Sequence, residues 1–267
     1  MITADSGHMT GLPPFDVEIP VIFDYLDGGT WDSPNPSVRP YITNSDAVLS
    51  VSKQATEQAS QLNQNVTYLP NGADITRLRS ASGNVVRKKY GLLDATVVSL
   101  IGLGASGSHY FIDAVRKARR EIPELQCLLV GDSESVVQSL DRLPDSIREA
   151  FVYTGPVPYD EIASFFAASD VGIYPVDATP YDDGRCPIKI FEYTARGTPV
   201  VVPRLREVER LDFNNIVYAS PEASSFAEGI VEASKRGPTQ DSKVEKYDWA
   251  QIADRLDEKL RSVSQQV

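Results

Sequence analysis

The sequence predicts an α/β protein: a doubly wound parallel sheet preceded by a partial α/β segment. Three observations carry that expectation. Short apolar runs alternate with helix-length amphipathic stretches from about residue 96 onward. Nearly every apolar run stops at a Gly or Pro turn. Val200-Val201-Val202 is apolar on both faces of an extended chain, the pattern of a strand covered on both sides.

The elements follow in order. Residues 1–9 resemble an expression-vector leader, so residues 1–13 are expected to be leader and disordered start. Residues 21–26 read as a buried strand ended by Asp27-Gly28-Gly29. Residues 30–43 are rich in Pro, Ser and Asn and read as a loop leading into a short element. Residues 47–52 are a second strand, and 53–62 a helix with Ser52 as its N-cap. Residues 65–70 are a third strand, closed by the turn Pro70-Asn71-Gly72. Between 73 and 93 only a short helix near 81–90 is expected. A domain boundary is placed here, dividing 14–75 from 76–267.

Beyond it the alternation is cleaner. Strands are expected at 96–103, 126–130, 151–153, 171–174, 200–202 and 216–218. Helices are expected at 109–122, 135–143 (running on through 145–150), 159–168, 187–196, 221–235 and 249–263. The helix before Val200 is the best specified. Pro187 suits a first turn, where its missing N–H is no loss. Ile188, Phe191 and Ala195 form one apolar face. Gly197 ends the helix, and Thr198-Pro199 prevents its continuation.

Bulk properties exclude several classes. Hydrophobic content is 42% and charged content 24%, ordinary for a globular protein. A net charge of −11 argues against non-specific binding to nucleic acid or an anionic membrane surface. No stretch has the length and apolarity of a transmembrane segment. Cys127 lies in an apolar run and reads as core; no disulfide is expected, which fits a reduced, cytoplasmic setting. Two cysteines and two histidines do not make an ordinary zinc site.

Open parallel sheets bind ligands at the carboxyl ends of their strands. That rim would carry the turn Gly102-Leu103-Gly104-Ala105-Ser106-Gly107, Gly131-Asp132, the segment from Gly155 to Pro158, and the helix start with Lys189 and Glu192. The glycine turn matches G-x-G-x-x-G, but the acid expected about 20 residues on is met only later, by Asp132. Lys189 and Glu192 lie three apart near a helix start. Spacing alone allows two readings: a surface ion pair, or an anion site built from free N–H groups, the helix dipole and a lysine.

Several segments together resemble one family, the retaining GT-B glycosyltransferases of group 1, also called family 4. Leu69-Pro70-Asn71-Gly72-Ala73-Asp74 resembles its "PNGvD" junction, and Leu128-Leu129-Val130-Gly131-Asp132 its "ivGdG" strand end. Val152-Tyr153-Thr154-Gly155-Pro156-Val157 resembles "v.f.G.v", and Ala167-Ala168-Ser169-Asp170-Val171 resembles "y..aDv". Residues 186–202 resemble "P.K.fEymA.GkPVV", and Tyr247-Asp248-Trp249 the late "f.W". Six segments agree in order and spacing across residues 66–260.

The resemblance implies two Rossmann-like domains facing across a cleft, with residues 76–267 holding a UDP-sugar or GDP-sugar donor. Glu192 would bind the ribose hydroxyls. Lys189 would contact the diphosphate, with Gly102 and Gly104 packed against it. Gly155, Val157 and Pro158 would line the base pocket, with Asp132 on the same rim. Sugar transfer with retention would need no metal and no further cofactor. The acceptor would be a glycan or a lipid-linked molecule.

Two departures stand out. The family often carries E-x7-E; Glu192 is the second glutamate, but the first position is Gly184. Asp182 and Asp183 lie just before it, and Asp183 is the candidate catalytic substitute. The family's cation after the glycine loop is also missing, which leaves Lys189 and Arg185, with His109 as a lesser candidate. Residues 14–75 are read as the end of an acceptor-side domain, so a truncated chain is expected. An exposed sheet edge near Val21 is then a place for pairing between chains. The missing part would hold any surface for peripheral membrane docking. The alternatives are a non-catalytic nucleotide-binding module that needs a partner chain, a nucleotide-sugar epimerase, and an NAD-linked enzyme.

Overall fold

A computed structural model describes residues 2–4, 19–26, 36–102 and 110–265. Among them, ten strands form two parallel sheets, one of four strands and one of six.

The small sheet takes β1 (Ile2–Ala4), β2 (Ile22–Tyr25), β3 (Ala47–Ser50) and β4 (Val66–Tyr68), in that order. Helix α1 (Arg39–Asn44) joins β2 to β3, and α2 (Lys53–Ser60) joins β3 to β4. Ser52 caps α2 as expected, its hydroxyl accepting from the Ala55 N–H at 3.1 Å. Ile2 pairs with Phe23, so β2 has a neighbour on each side. Among the described residues the outermost strand is therefore β1, not the expected strand at Val21.

Two short helices follow where the sequence indicated one: α3 (Ile75–Ser80) and α4 (Asn84–Lys89). The extra one is α3, capped by Asp74, whose carboxylate accepts from the Arg77 N–H at 3.0 Å.

The large sheet begins with β5 (Thr96–Ile101), α5 (Phe111–Ala118), β6 (Leu125–Val130), α6 (Glu134–Asp141), α7 (Asp145–Arg148) and β7 (Phe151–Tyr153). The chain continues through α8 (Ile162–Ala167), β8 (Val171–Ile173), α9 (Pro180–Asp183), α10 (Ile188–Arg196), β9 (Val200–Val202), α11 (Arg206–Leu211), β10 (Ile216–Tyr218) and α12 (Ala223–Arg236). A 3-10 turn at Ser242–Tyr247 leads into the last helix, α13 (Trp249–Ser264). Strand order is β10-β9-β8-β5-β6-β7. The order reverses between β5 and β8, which makes the gap between their carboxyl ends the switch point of the sheet.

Alternation sorts the core into two layers. Val200 and Val202 pack with Phe166, Phe191 and Tyr193 on one face. Val201 packs with Phe226 and Ile230 on the other. The Val200 run is thus covered on both sides, as its composition predicts. Helix α10 ends at Gly197 in the left-handed region, φ 72°.

The last helix departs from the sequence-based division at residue 75. Val263 packs with Ile22, Ala47 and Leu49, flanked by Leu256 and Leu260. Helix α13 therefore covers a face of the small sheet, and Arg255 donates to the Tyr68 carbonyl at 2.6 Å. The outgoing and returning links meet: Ala73 N–H donates to Tyr247 O at 3.0 Å, and Trp249 N–H to Ala73 O at 3.1 Å.

Candidate functional site

A cleft of about 260 Å³ opens where the carboxyl ends of the two sheets meet. Leu26 and Val51 reach it from the ends of β2 and β3. Gly102 ends β5 and Tyr174 follows β8, so the cleft includes the switch point. Asn71 and residues 185–189, at the start of α10, complete the lining.

Lys189 lies across Gly102. The glycine has φ 82°, and its N–H donates to Val130 O at 2.8 Å. A Cβ there would stand 2.6 Å from Lys189 Cε and push the lysine aside, and the positive φ itself favours glycine. No side chain caps α10 at Pro187. A helix start without a cap offers N–H groups and a partial positive charge to an anion, and Lys189 adds a full one.

Glu192 is one turn further in and 9% exposed. Its Oε2 lies 3.3 Å from Lys189 Nζ, an ion-pair contact without directed hydrogen-bond geometry. Burial pushes the Glu192 carboxyl above its usual range, and Lys189 and Arg77 pull it back. Arg77 is held by the Tyr159 carbonyl and lies over the Tyr159 ring.

Other expected residues fall differently. Gly131 N–H donates to Gly155 O at 3.0 Å and ties the ends of β6 and β7. Asp132 and Pro158 are exposed there, and Val157 packs partly on the core. All lie on the same rim but outside the lining of this cleft. Gly104 and His109 lie outside the described residues.

The two aspartates before Gly184 are engaged within the chain. Asp182 closes a capping box on α9, accepting from Thr179 N–H at 3.1 Å and Thr179 Oγ1 at 2.7 Å. Asp183 accepts from Arg206 N–H at 2.6 Å and pairs with Arg206 Nε at 2.9 Å, at the start of α11. Arg185 pairs with Asp182 at 3.7 Å and lines the cleft.

Three residues at the seam between the units escaped the sequence. Asn71 donates to the Cys186 carbonyl at 2.7 Å and ties the junction to the start of α10. Glu207 is 1% exposed; both its oxygens accept from the Lys53 N–H at 3.1 Å, across the seam at the start of α2. Gln54 is also 1% exposed. Asn71 stands in a segment already singled out as a turn, whereas nothing local marks Glu207 or Gln54.

Residues 96–236, just over half of the chain, match the family described as Glycosyl transferases group 1. The chain belongs to this family. Among curated relatives, TuaH of Bacillus subtilis (strain 168), named as a teichuronic acid biosynthesis glycosyltransferase, is 31% identical over 101 residues. That match spans 36% of this chain and 24% of TuaH. HepE of Anabaena, solved in complex with UDP and glucose, superposes with a TM-score of 0.71 at 21% identity, over 90% of this chain and 71% of HepE. A sucrose-phosphate synthase from Thermosynechococcus elongatus superposes with a TM-score of 0.64 at 15% identity, over 91% of this chain and 67% of that one. These likenesses show the fold, a GT-B arrangement of two Rossmann-like units. No helix among the described residues is long and apolar enough to cross a membrane.

Proposed function

We propose that this chain holds the donor site of a glycosyltransferase that moves a sugar from a nucleoside-diphosphate sugar, UDP-linked in the first instance, to a glycan or lipid-linked acceptor. One observation carries the reading. Lys189 lies over Gly102 at the uncapped start of α10, at the switch point of the large sheet, with Glu192 one turn behind it. Family membership supports the reaction class, and the UDP and glucose found with HepE support the choice of base.

The roles follow from charge. The diphosphate lies against the start of α10 and the Lys189 ammonium. Glu192, as a carboxylate, accepts from the ribose hydroxyls. As the sugar departs, negative charge grows on the diphosphate, and the fixed cation and helix start stabilise it without reorganising. The chemistry asks for no metal in that scheme. Backbone groups of Gly155, Val157 and Pro158, beyond Asp132 on the rim, are assigned to the base, and the loop after Gly102, including Gly104, to the phosphates. Asp183 acts through Arg206, holding the segment that leads into α10. Retention of anomeric configuration follows the family resemblance.

Calorimetric titration with UDP, GDP and ADP tests this. The expected result is binding of UDP, weakened at least about tenfold in Lys189→Ala, the loss of one charge-assisted contact. Failure of all three nucleotides to bind would overturn the assignment.

A further inference from the structure

We infer that Arg77 is a positioning residue of the donor site: its guanidinium steadies the Glu192 carboxylate for the ribose once the diphosphate has drawn Lys189 away. The inference rests on the donor site proposed above. It starts from an anomaly in that site. Glu192 is buried, and its Oε2 has no hydrogen-bond partner among the described residues. Lys189, 3.3 Å away, is its only ion-pair contact among them. A bound donor sharpens the problem, because the diphosphate takes Lys189 for itself and brings negative charge close to the carboxylate. A buried carboxylate stripped of its cation takes up a proton, and the neutral acid is a poorer acceptor for ribose hydroxyls.

A second cation stands beside it. Helices α3 and α10 both run away from the cleft: Asn71, just before α3, lines it, and so do residues 185–189 at the start of α10. The two helices meet at their far ends, where Arg79 Nε donates to Ala195 O at 3.3 Å and Arg196 donates to the Leu78 carbonyl at 2.8 Å. Arg77 is two residues nearer the cleft than Arg79, and Glu192 three residues nearer than Ala195. The two side chains therefore leave neighbouring helices at about the same level. Burial raises the Glu192 carboxyl, and the charge of Arg77 reaches it and opposes that rise together with Lys189.

The two cations differ in how they are held. Lys189 rides on a flexible stem over Gly102 and can swing to a phosphate. Arg77 is half-buried, donates to the Tyr159 carbonyl and lies 4.5 Å from the centre of the Tyr159 ring, so it stays in place. Other charges near α10 are engaged or solvated. The 3-10 turn brings Glu245 and Lys246, but Glu245 pairs with Arg79 at 2.6 Å and Lys246 lies over the Tyr247 ring. Asp160 and Glu161 are exposed at the start of α8, which packs on α10 through Phe166 against Tyr193. Tyr193 itself hydrogen-bonds Ser99. One cation is thus free to serve the phosphates, and the other is fixed to serve the carboxylate.

The test measures UDP and 2′-deoxy-UDP by calorimetry between about pH 5 and pH 8.5, on the parent, Arg77→Gln and Arg77→Lys. Both ligands carry the same diphosphate, so the ratio of their affinities isolates the ribose contact. Arg77→Gln keeps a donor for the Tyr159 carbonyl and removes only the charge, so its urea midpoint should barely move. In the parent, UDP should bind about tenfold better than 2′-deoxy-UDP at the alkaline end. The ratio should fall towards one as pH drops and Glu192 takes up its proton. In Arg77→Gln that fall should set in about one pH unit higher, and Arg77→Lys should restore most of the difference. Tyr159→Ala, a change at an exposed ring that loosens Arg77 and spares the core, should move the fall the same way by less. A ratio in Arg77→Gln that follows the parent's at every pH would overturn the inference. So would equal weakening of both ligands at every pH, the mark of a merely structural contact. A parent that binds neither ligand would strike at the donor site itself, and one that binds both alike at the ribose role of Glu192; either would take this inference with it.

Discussion

Two helices start at the cleft, α2 from the small unit and α10 from the large one, and the chain treats them in opposite ways. The start of α2 is filled from within: Ser52 caps it, and the Glu207 carboxylate from α11 accepts its first N–H. Burial raises the Glu207 carboxyl, but the Lys53 N–H and Arg210 offset part of that cost. The start of α10 has no side-chain cap, and a lysine stands where helix stability alone would favour an acid. On the proposed reading, the contrast separates a structural anion site at α2 from one left for a ligand at α10. A protein that can place a buried carboxylate on one helix start has the means to do so at the other.

The largest expected effect breaks the comparison on the α10 side. Lys189→Ala should cost about 1.5–3 kcal/mol of UDP binding, read by calorimetry, while the urea midpoint barely moves. The matching change on the α2 side should do the reverse. Glu207→Ala leaves a buried N–H without its acceptor and should destabilise the fold by about 1–2 kcal/mol in urea unfolding. UDP affinity should stay within about twofold of the parent. If both variants moved both quantities alike, the two helix starts would not be different in kind.

Gly102→Ala sharpens the point from the strand side. It meets Lys189 Cε at 2.6 Å and places a side chain at φ 82°. A loss of about 1 kcal/mol in stability is expected, with a parallel loss of UDP affinity, because the lysine must move.

A smaller effect depends on pH. Burial raises the folded-state midpoints of both Glu192 and Glu207 above the ordinary 4.5. As pH falls, the folded chain takes up these protons before the unfolded chain does. Their contribution to stability is therefore present below 4.5 and lost as pH rises through the folded midpoints. Glu192→Gln should flatten that dependence in urea unfolding between about pH 4 and pH 8, and the double variant with Glu207→Gln should flatten it further. An unchanged slope would show that Glu192 is charged and well solvated.

Much of this was legible in the sequence because the signals are local. Helix α10, its Gly197 end and the Val200 strand sit within one short stretch, so capping, periodicity and apolar runs all read the same span. Lys189 and Glu192 were visible for the same reason. Helix α9 was missed, although Thr179-Pro180-Tyr181-Asp182 carries a local signal, a capping box with proline at the first turn; four residues are too few to show a period. What stayed hidden is what depends on chain return. Nothing near Val263 says that it packs on Ile22, and nothing near Glu207 says that it meets Lys53. Asp183 was singled out as a catalytic substitute from its place just before Gly184; that Arg206, 23 residues on, pairs with it could not be read there.

The most direct test is a crystal structure of the chain grown with UDP. The account predicts the diphosphate within hydrogen-bond reach of Lys189 Nζ and the first N–H groups of α10, with ribose hydroxyls on Glu192. The start of α2 should still be filled by Glu207. A diphosphate bound elsewhere on the rim, or seated at α2 with Glu207 displaced, would contradict it.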